Sequence, residues 1–138
     1  MLARCHLCVL GCKGGPVKSR SIVPHTSSPS QWAIVGDYPT KSDLGIKEKQ
    51  FPFCGSEGLL LNSTLDELGY ARVGFSTHYA LACRPPEGDY KKLIIQWRKK
   101  NRGLVAEGKD PLPHPIECCR PRLEAELNGR TQVITLGG

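Results

Sequence analysis

The sequence predicts a small α/β fold: a three-layer α/β/α sandwich around a short parallel sheet. Short apolar runs alternate with helical patterns along the chain, and 138 residues leave room for a single domain. The 15 Gly and 11 Pro residues predict long loops around a modest core. Because the order is strand, helix, strand, helix, strand, we expect parallel strands joined by right-handed crossovers.

The first half of the chain contains one strand and one helix. Residues 32–36 form a short apolar run that ends in glycine, which is typical of a buried parallel strand. Residues 37–54 are polar and turn-rich, so they are expected to form a loop at the carboxyl end of that strand. Leucines recur at a helical period over residues 55–69, where Ser56 is the expected cap and a glycine ends the pattern.

The second half repeats this alternation. Residues 73–82 predict a second strand, and residues 89–102 predict a helix with a positively charged outer side. Residues 115–128 also predict a helix, in which Pro121 indicates a break or a late start. Residues 131–138 resemble another buried strand. Because no covering helix follows that strand, we expect the domain to be truncated at its C-terminal end.

Positive charge is concentrated in one part of the chain. There are 19 Lys and Arg residues against 13 Asp and Glu, which gives a net charge of +6. Seven of the basic residues and only two acidic ones lie between Cys83 and Arg102. The seven are Arg84, Lys91, Lys92, Arg98, Lys99, Lys100 and Arg102. Such a patch favours a polyanionic partner, and a solvated helix face is the alternative.

The cysteine content points to metal chemistry. The chain has seven cysteines, no secretory signal and no run near the ~18–20 apolar residues that a membrane span needs. We therefore expect a soluble, cytoplasmic protein in which metal or cluster binding is favoured over disulfides. Cys12 and Cys54 are interpreted as packing residues.

The spacing of the other cysteines leaves two kinds of centre open. Cys5 and Cys8 form a C-x-x-C pair, which suits zinc, iron–sulfur or redox chemistry. This pair precedes the first predicted strand, which disfavours thioredoxin-like chemistry. Cys83 and either Cys118 or Cys119 would complete four thiolates, so spacing alone fits both a zinc ion and a 4Fe–4S cluster.

Six sequence blocks together resemble one known family. In order they are CHLC, VGDYP, PFCGSEGLLLNSTLDELG, ACRPP, IECCRPRLEAEL and VITLGG. The series is similar to the family 4 uracil-DNA glycosylases, the iron–sulfur type, over nearly the whole of residues 1–138. The resemblance implies one glycosylase-like domain, with residues 1–31 as a cysteine-bearing arm. It also implies DNA binding and hydrolysis of the N-glycosidic bond of uracil in base-excision repair.

The resemblance also implies a cellular setting and partners. Related domains are fused to the front of some phage-type DNA polymerases, so a polymerase region in the same or a neighbouring chain is an expected partner. The other partner is DNA, single- or double-stranded. We expect a monomer in the cytoplasm of a bacterium or a phage-infected host, without membrane contact.

The family pattern assigns the cluster ligands residue by residue. It implies a 4Fe–4S cluster held by four cysteines, namely Cys5, Cys8, Cys83 and Cys119. Cys119 is preferred to Cys118 because the family cysteine directly precedes Arg-Pro, as Cys119 does here. Zinc remains the alternative to the cluster.

The family pattern also implies a substrate site. Phe53 falls on the aromatic residue that stacks on an extruded uracil, which needs a flat surface to replace its lost stacking. Asp37 falls on the carboxylate that assists attack of water at the sugar, so it is the expected catalytic residue. The other expected substrate-binding residues are Gly36, Tyr38, Pro39 and Tyr79. The basic patch, independently of the family pattern, gives Arg84, Lys91 and Lys92 as the expected phosphate contacts.

The chain departs from the family at several positions. Asp37 stands where the family has Glu, and Thr40 replaces a glycine. Tyr79 occupies the position of an Asn that bonds the edge of uracil, and a family loop carrying His lies beyond the last matched strand. The 35 residues between Cys83 and Cys119 are more than expected. Two hypotheses follow: an active glycosylase, or an iron–sulfur DNA-binding module with weak or absent catalysis.

Overall fold

A three-stranded parallel sheet forms the centre of the protein. The computed structural model describes residues 4–11, 31–45 and 51–137. Its strands and helices are β1 (Trp32–Gly36), α1 (Lys41–Gly45), α2 (Ser56–Glu67), β2 (Ser76–Tyr79), α3 (Tyr90–Ala106), α4 (Pro115–Glu126) and β3 (Gln132–Thr135). The strand order is β2-β1-β3, and both pairings are parallel. The predicted small α/β fold is therefore confirmed.

Helices cover both faces of this sheet. Ile34 pairs with Thr77, and the next pair along the strands, Val35 with His78, points to the opposite face. Ile34 packs with Leu65 of α2 in one buried cluster. His78 bonds a carboxylate of α4. The helices α2 and α4 thus lie on opposite sides of β1 and β2.

A second buried cluster lies beyond the carboxyl ends of the strands. It joins the arm residues Val9 and Leu10 to Leu81, which follows β2, and to Leu93 of α3. Two cysteines of α4 belong to the same cluster. Residues 4–11 of the arm are therefore held against the part of the molecule where the loops leave the sheet.

Two of the predicted strands differ in the structure. The strand expected over 73–82 is confined to β2, because a 3-10 turn over Arg72–Gly74 precedes it. The last strand was expected to be buried, but every residue of β3 is exposed. An edge position explains this, since β3 pairs only with β1 in the described part of the chain.

The expected cap of α2 is also wrong. Ser56 is the first helical residue, and Gly55 occupies the N-cap position with extended backbone. The amide of Ser56 donates to Ser42 Oγ at 2.8 Å, and the amide of Gly55 donates to Asp43 Oδ1 at 2.8 Å. Side chains of α1, a helix inside the stretch expected to be a loop, thus satisfy amides at the start of α2.

The break expected at Pro121 does not occur. α4 begins with Pro115 at its first position and continues through Pro121 to Glu126. Pro121 has no amide hydrogen to donate to the preceding turn. The turn after it is bonded to β2, because Glu126 bonds His78 and Arg122 donates to the Tyr79 carbonyl. None of the described helices is long and apolar enough to cross a membrane.

Candidate metal centre and aromatic pocket

Five thiols converge where the arm meets the sheet. Cys5 and Cys8 lie in a 3-10 turn of the arm, Cys83 follows β2, and Cys118 and Cys119 are consecutive in α4. All five line one cavity of about 20 Å³, together with apolar residues of the arm and Leu81. We call these five cysteines the thiol centre. It contains all four cysteines that the family pattern implies as ligands.

Backbone hydrogen bonds hold the arm in this position. The amide of Arg4 donates to the Cys118 carbonyl at 2.9 Å, which ties the arm to α4. The amide of Cys8 donates to the Cys5 carbonyl at 3.2 Å and closes the turn between the paired thiols. The C-x-x-C spacing therefore aims both sulfurs into the same cavity.

The thiols are close enough to affect one another. Burial raises the pKa of Cys83 to about 12, and the neighbouring sulfurs of Cys119, Cys5 and Cys8 add to the increase. Burial also raises the pKa of Cys8. Bringing thiolates together in a buried site is unfavourable without a cation, so a bound metal would relieve their repulsion.

The donor set fits a sulfur-ligated metal or cluster. Thiolate sulfur is the soft ligand that zinc and iron–sulfur clusters select. As the side chains stand, the described residues include no group of three or more His, Cys, Asp or Glu arranged to hold a metal ion. Cys54 lies apart from the thiol centre, with its sulfur 3.4 Å from the Asp43 carbonyl. Cys12 lies outside the described residues.

A buried polar network supports α4 beside the thiol centre. Arg122 bonds both carboxylate oxygens of Glu126 at 2.7 Å and donates to the Tyr79 carbonyl at 2.6 Å. Glu126 also lies 3.1 Å from Nδ1 of the fully buried His78. Burial raises the pKa of Glu126, but hydrogen bonds from His78 and Arg122 outweigh that effect and lower it overall. The i,i+4 spacing of Arg122 and Glu126 was the available sequence indication.

Three of the expected substrate-site residues meet at the end of β1. The rings of Phe53 and Tyr79 lie 5.0 Å apart between centroids, tilted by 50°. Both rings rest on Gly36, where an added Cβ would lie 2.7 Å from Phe53 Cζ and 3.0 Å from Tyr79 Cε1. Only glycine allows this approach. We call Gly36, Phe53 and Tyr79 the aromatic pocket.

The hydroxyl of Tyr79 is fully engaged inside the protein. It donates to Asp43 Oδ2 at 2.6 Å and accepts from the amide of Phe53 at 3.1 Å. Asp43 is fully buried and also accepts from the amides of Thr40 and Gly55. Burial, followed by the hydrogen bond to Asp43, raises the pKa of Tyr79. Sequence reasoning missed Asp43 because it lies in a stretch assigned to a loop.

Arg72 holds the loop that carries Phe53. Phe53 has a backbone φ of 61°, which is costly for a residue with a side chain. The Arg72 guanidinium donates to the carbonyls of Phe53, at 2.6 Å, and of Pro52. It also lies 5.7 Å from the ring centroids of Phe51 and Phe53. Burial lowers the pKa of Arg72. The loop also packs closely on Gly58. An added Cβ at that position would overlap the Phe53 carbonyl, so only glycine allows the contact.

Asp37 lies beside a different cavity. It is exposed at the end of β1 and packs against Gly137. With Tyr38 it lines a cavity of about 280 Å³, which we call the strand-end cavity. Its other lining residues are Ala80, Leu81, Tyr90 and Ile116. Tyr38 donates through its hydroxyl to the Gly88 carbonyl at 2.9 Å, and Pro39 is fully buried.

The three expected phosphate contacts lie around the start of α3. The guanidinium of Arg84 packs over Gly88. Lys91 is exposed, whereas Lys92 forms an ion pair with Glu87. Asp89 caps α3 by accepting from the amides of both lysines. This capping places the two lysines in the first turn of the helix.

Sequence comparisons add no relative to this picture. No protein-family model and no curated protein matches the chain. Functional assignment therefore depends on the geometry of the thiol centre and the aromatic pocket, together with the sequence blocks.

Proposed function

We propose that the protein is an iron–sulfur, uracil-DNA glycosylase-like protein that binds DNA. The observation that supports this most is the convergence of thiols from the arm, the end of β2 and α4 on one cavity. Cys5, Cys8, Cys83 and Cys119 would hold a 4Fe–4S cluster, with zinc as the alternative. The bound group would supply a covalent link between three distant segments.

The aromatic pocket argues against uracil excision. A glycosylase must read the hydrogen-bonding edge of the flipped base as well as stack on it. The Tyr79 hydroxyl already donates to Asp43 and accepts from the Phe53 amide, and the Tyr79 ring packs against Phe53. The phenol thus offers no counterpart to the Asn amide of the family. We infer that the module holds DNA and leaves its bases in place.

Uracil excision is the second candidate function, because Asp37 has the position and exposure that hydrolysis needs. Its carboxylate stands at the carboxyl end of a central parallel strand, where ligands of α/β folds bind. The strand-end cavity beside it, of about 280 Å³, has room for a small group. In that function Asp37 would orient water or stabilise positive charge on the sugar as the glycosidic bond breaks.

Two measurements on the same protein separate these candidates. Uracil release is measured on single- and double-stranded DNA containing one uracil, and binding of the same DNA is titrated against salt. We expect binding with a steep salt dependence and no abasic product. Abasic product at turnover would support the excision function instead. Absence of any DNA binding would overturn both.

The remaining expectations belong to this proposal. The protein would act as a monomer in the cytoplasm of a bacterium or a phage-infected host. A polymerase region in the same or a neighbouring chain would be its functional partner, because related domains precede some phage-type polymerases. Size-exclusion chromatography with light scattering tests the monomer directly.

A further inference from the structure

The helix α3 has an unusual charge distribution. Its 17 residues include six basic side chains and no acidic one. One side of the helix is anchored: Leu93 is fully buried, and Trp97 Nε1 donates to the Leu112 carbonyl at 3.0 Å. Asn101 exchanges two hydrogen bonds with the backbone of the same Leu112. The anchoring fixes which side of α3 faces outward.

The outward side of the distal half, residues 98–106, is open. Arg98, Arg102 and Val105 lie three or four residues apart along the helix, so they share one exposed stripe. With Ile95, which is 63% exposed, they line an open groove of about 810 Å³. An added Cβ at Gly103 would meet no atom within 4 Å. The described parts of the protein leave this stripe uncovered.

Most of the basic side chains of α3 that form no ion pair within the described residues lie on this distal half, where Lys100 has only a charge interaction with Glu107. At the start of α3, Lys92 is paired with Glu87. Within the described ranges, Arg98, Lys99 and Arg102 form no ion pair. Four of the seven basic residues noted in the sequence lie on this half, namely Arg98, Lys99, Lys100 and Arg102.

The direction of α3 connects this stripe to the strand-end cavity. The first helical residue, Tyr90, lines that cavity. Arg98 and Arg102 follow it by eight and twelve residues, which places them about 12–18 Å along the helix axis at about 1.5 Å per residue. At about 3.4 Å per base pair, DNA bound at the cavity would reach them within about five pairs.

We propose that the distal half of α3 is a docking surface for the phosphate backbone of DNA, centred on Arg98 and Arg102. Charge complementarity selects this occupant, because exposed arginines bind phosphate oxygens with paired donors. This inference rests on the proposed DNA-binding function. It places the main contact with the DNA backbone at the distal half of α3, and not at the first turn, where Lys91 and Lys92 lie.

The test compares arginine-to-glutamine variants that change charge equally. Arg98→Gln, Arg102→Gln and the double variant are titrated with a 20-base-pair duplex over a range of salt. Arg120→Gln is the matched control, since Arg120 is an exposed helical arginine already paired with Glu117 and Glu124. Thermal unfolding of each variant checks that the fold is retained.

Each lost phosphate contact should reduce the slope of log affinity against log salt by about 0.9, which is about an eightfold loss of affinity at 0.1 M salt. In the double variant the slope should fall by about twice as much as in a single variant. The affinity of Arg120→Gln should stay within about twofold of the parent's. An unchanged slope in the double variant would overturn the inference while leaving DNA binding intact. Failure of the parent protein to bind the duplex would instead overturn the proposed function.

A competitor distinguishes DNA from any polyanion. Polyglutamate of matched charge is added to the complex with labelled duplex. The proposal predicts that it competes at least tenfold more weakly than unlabelled duplex, because carboxylates do not reproduce the spacing of a phosphate backbone. Equal competition would overturn the assignment of DNA as the occupant.

Discussion

The thiol centre and the aromatic pocket lie at the same end of the sheet, but they differ in how fully their residues match the family pattern. Every cysteine that the family pattern implies is present and directed at one cavity. In the aromatic pocket, Phe53 and Gly36 match the family pattern, whereas Tyr79 stands at the position of the Asn and its hydroxyl is bonded within the protein. The match to the family pattern is thus closer at the cysteines than at the residues expected to read a base.

The two regions also differ in how they would be stabilised. The buried thiols of the thiol centre lie close together, and a bound metal would relieve the repulsion between their thiolates. The aromatic pocket is complete by itself, because Asp43 accepts three hydrogen bonds within the protein. We therefore expect changes at the thiol centre to have larger effects than changes at the aromatic pocket.

The largest effect is expected at Cys83. Replacing its sulfur by the oxygen of Cys83→Ser removes the one ligand that follows β2, so most of the bound iron, the brown colour and much of the solubility should be lost. Iron content and soluble yield measure this. Cys54→Ser is the matched control outside the thiol centre, and it should keep both. A folded, brown Cys83→Ser protein would refute the ligand assignment.

The adjacent cysteines of α4 provide a sharper comparison. Cys118 and Cys119 are both buried and line the same cavity. We expect Cys119→Ala to lose most of its iron and Cys118→Ala to keep it, because Cys119 has the family position before Arg-Pro. Metal analysis of the two purified variants decides between them. The reverse result would transfer the fourth ligand to Cys118.

Among changes that affect the aromatic pocket, replacement of Arg72 should have the largest effect. Arg72→Gln removes donors from the carbonyls of Pro52 and Phe53 and leaves the strained turn unsupported, at a cost of about 2–3 kcal/mol. Urea unfolding measures the change in the free energy of unfolding. Arg120→Gln, which breaks only exposed ion pairs, should cost less than about 1 kcal/mol. Equal effects would mean that Arg72 does not hold the loop.

The smallest effect is expected at Tyr79. Tyr79→Phe removes one donor to Asp43, which keeps two backbone donors, and it removes the acceptor of the Phe53 amide, so the cost should be about 1–2 kcal/mol at neutral pH. The pKa of Tyr79 is raised in the folded state, and the unfolded side chain ionises near pH 10. Stability from this residue is therefore present below pH 10 and falls above it. The variant should lose that alkaline decline in unfolding experiments, and an unchanged decline would contradict the interpretation.

Local patterns were sufficient to predict β1, α2 and the proximity of Cys5 to Cys8. An apolar run, a leucine period and a C-x-x-C pair are each visible within a few residues. The pairing of Tyr79 with Asp43 joins positions 36 residues apart, so no local pattern contains it. The exposure of β3 and the continuation of α4 through Pro121 depend on which elements pack beside them. Tertiary context decided these features.

Metal content of the purified parent protein, prepared without oxygen, tests the central claim most directly. Iron, acid-labile sulfide and zinc are measured per chain, together with the visible spectrum. The account predicts about four irons and four sulfides, with brown absorption near ~400 nm. One zinc per chain in a colourless protein, or no metal in a folded one, would contradict it.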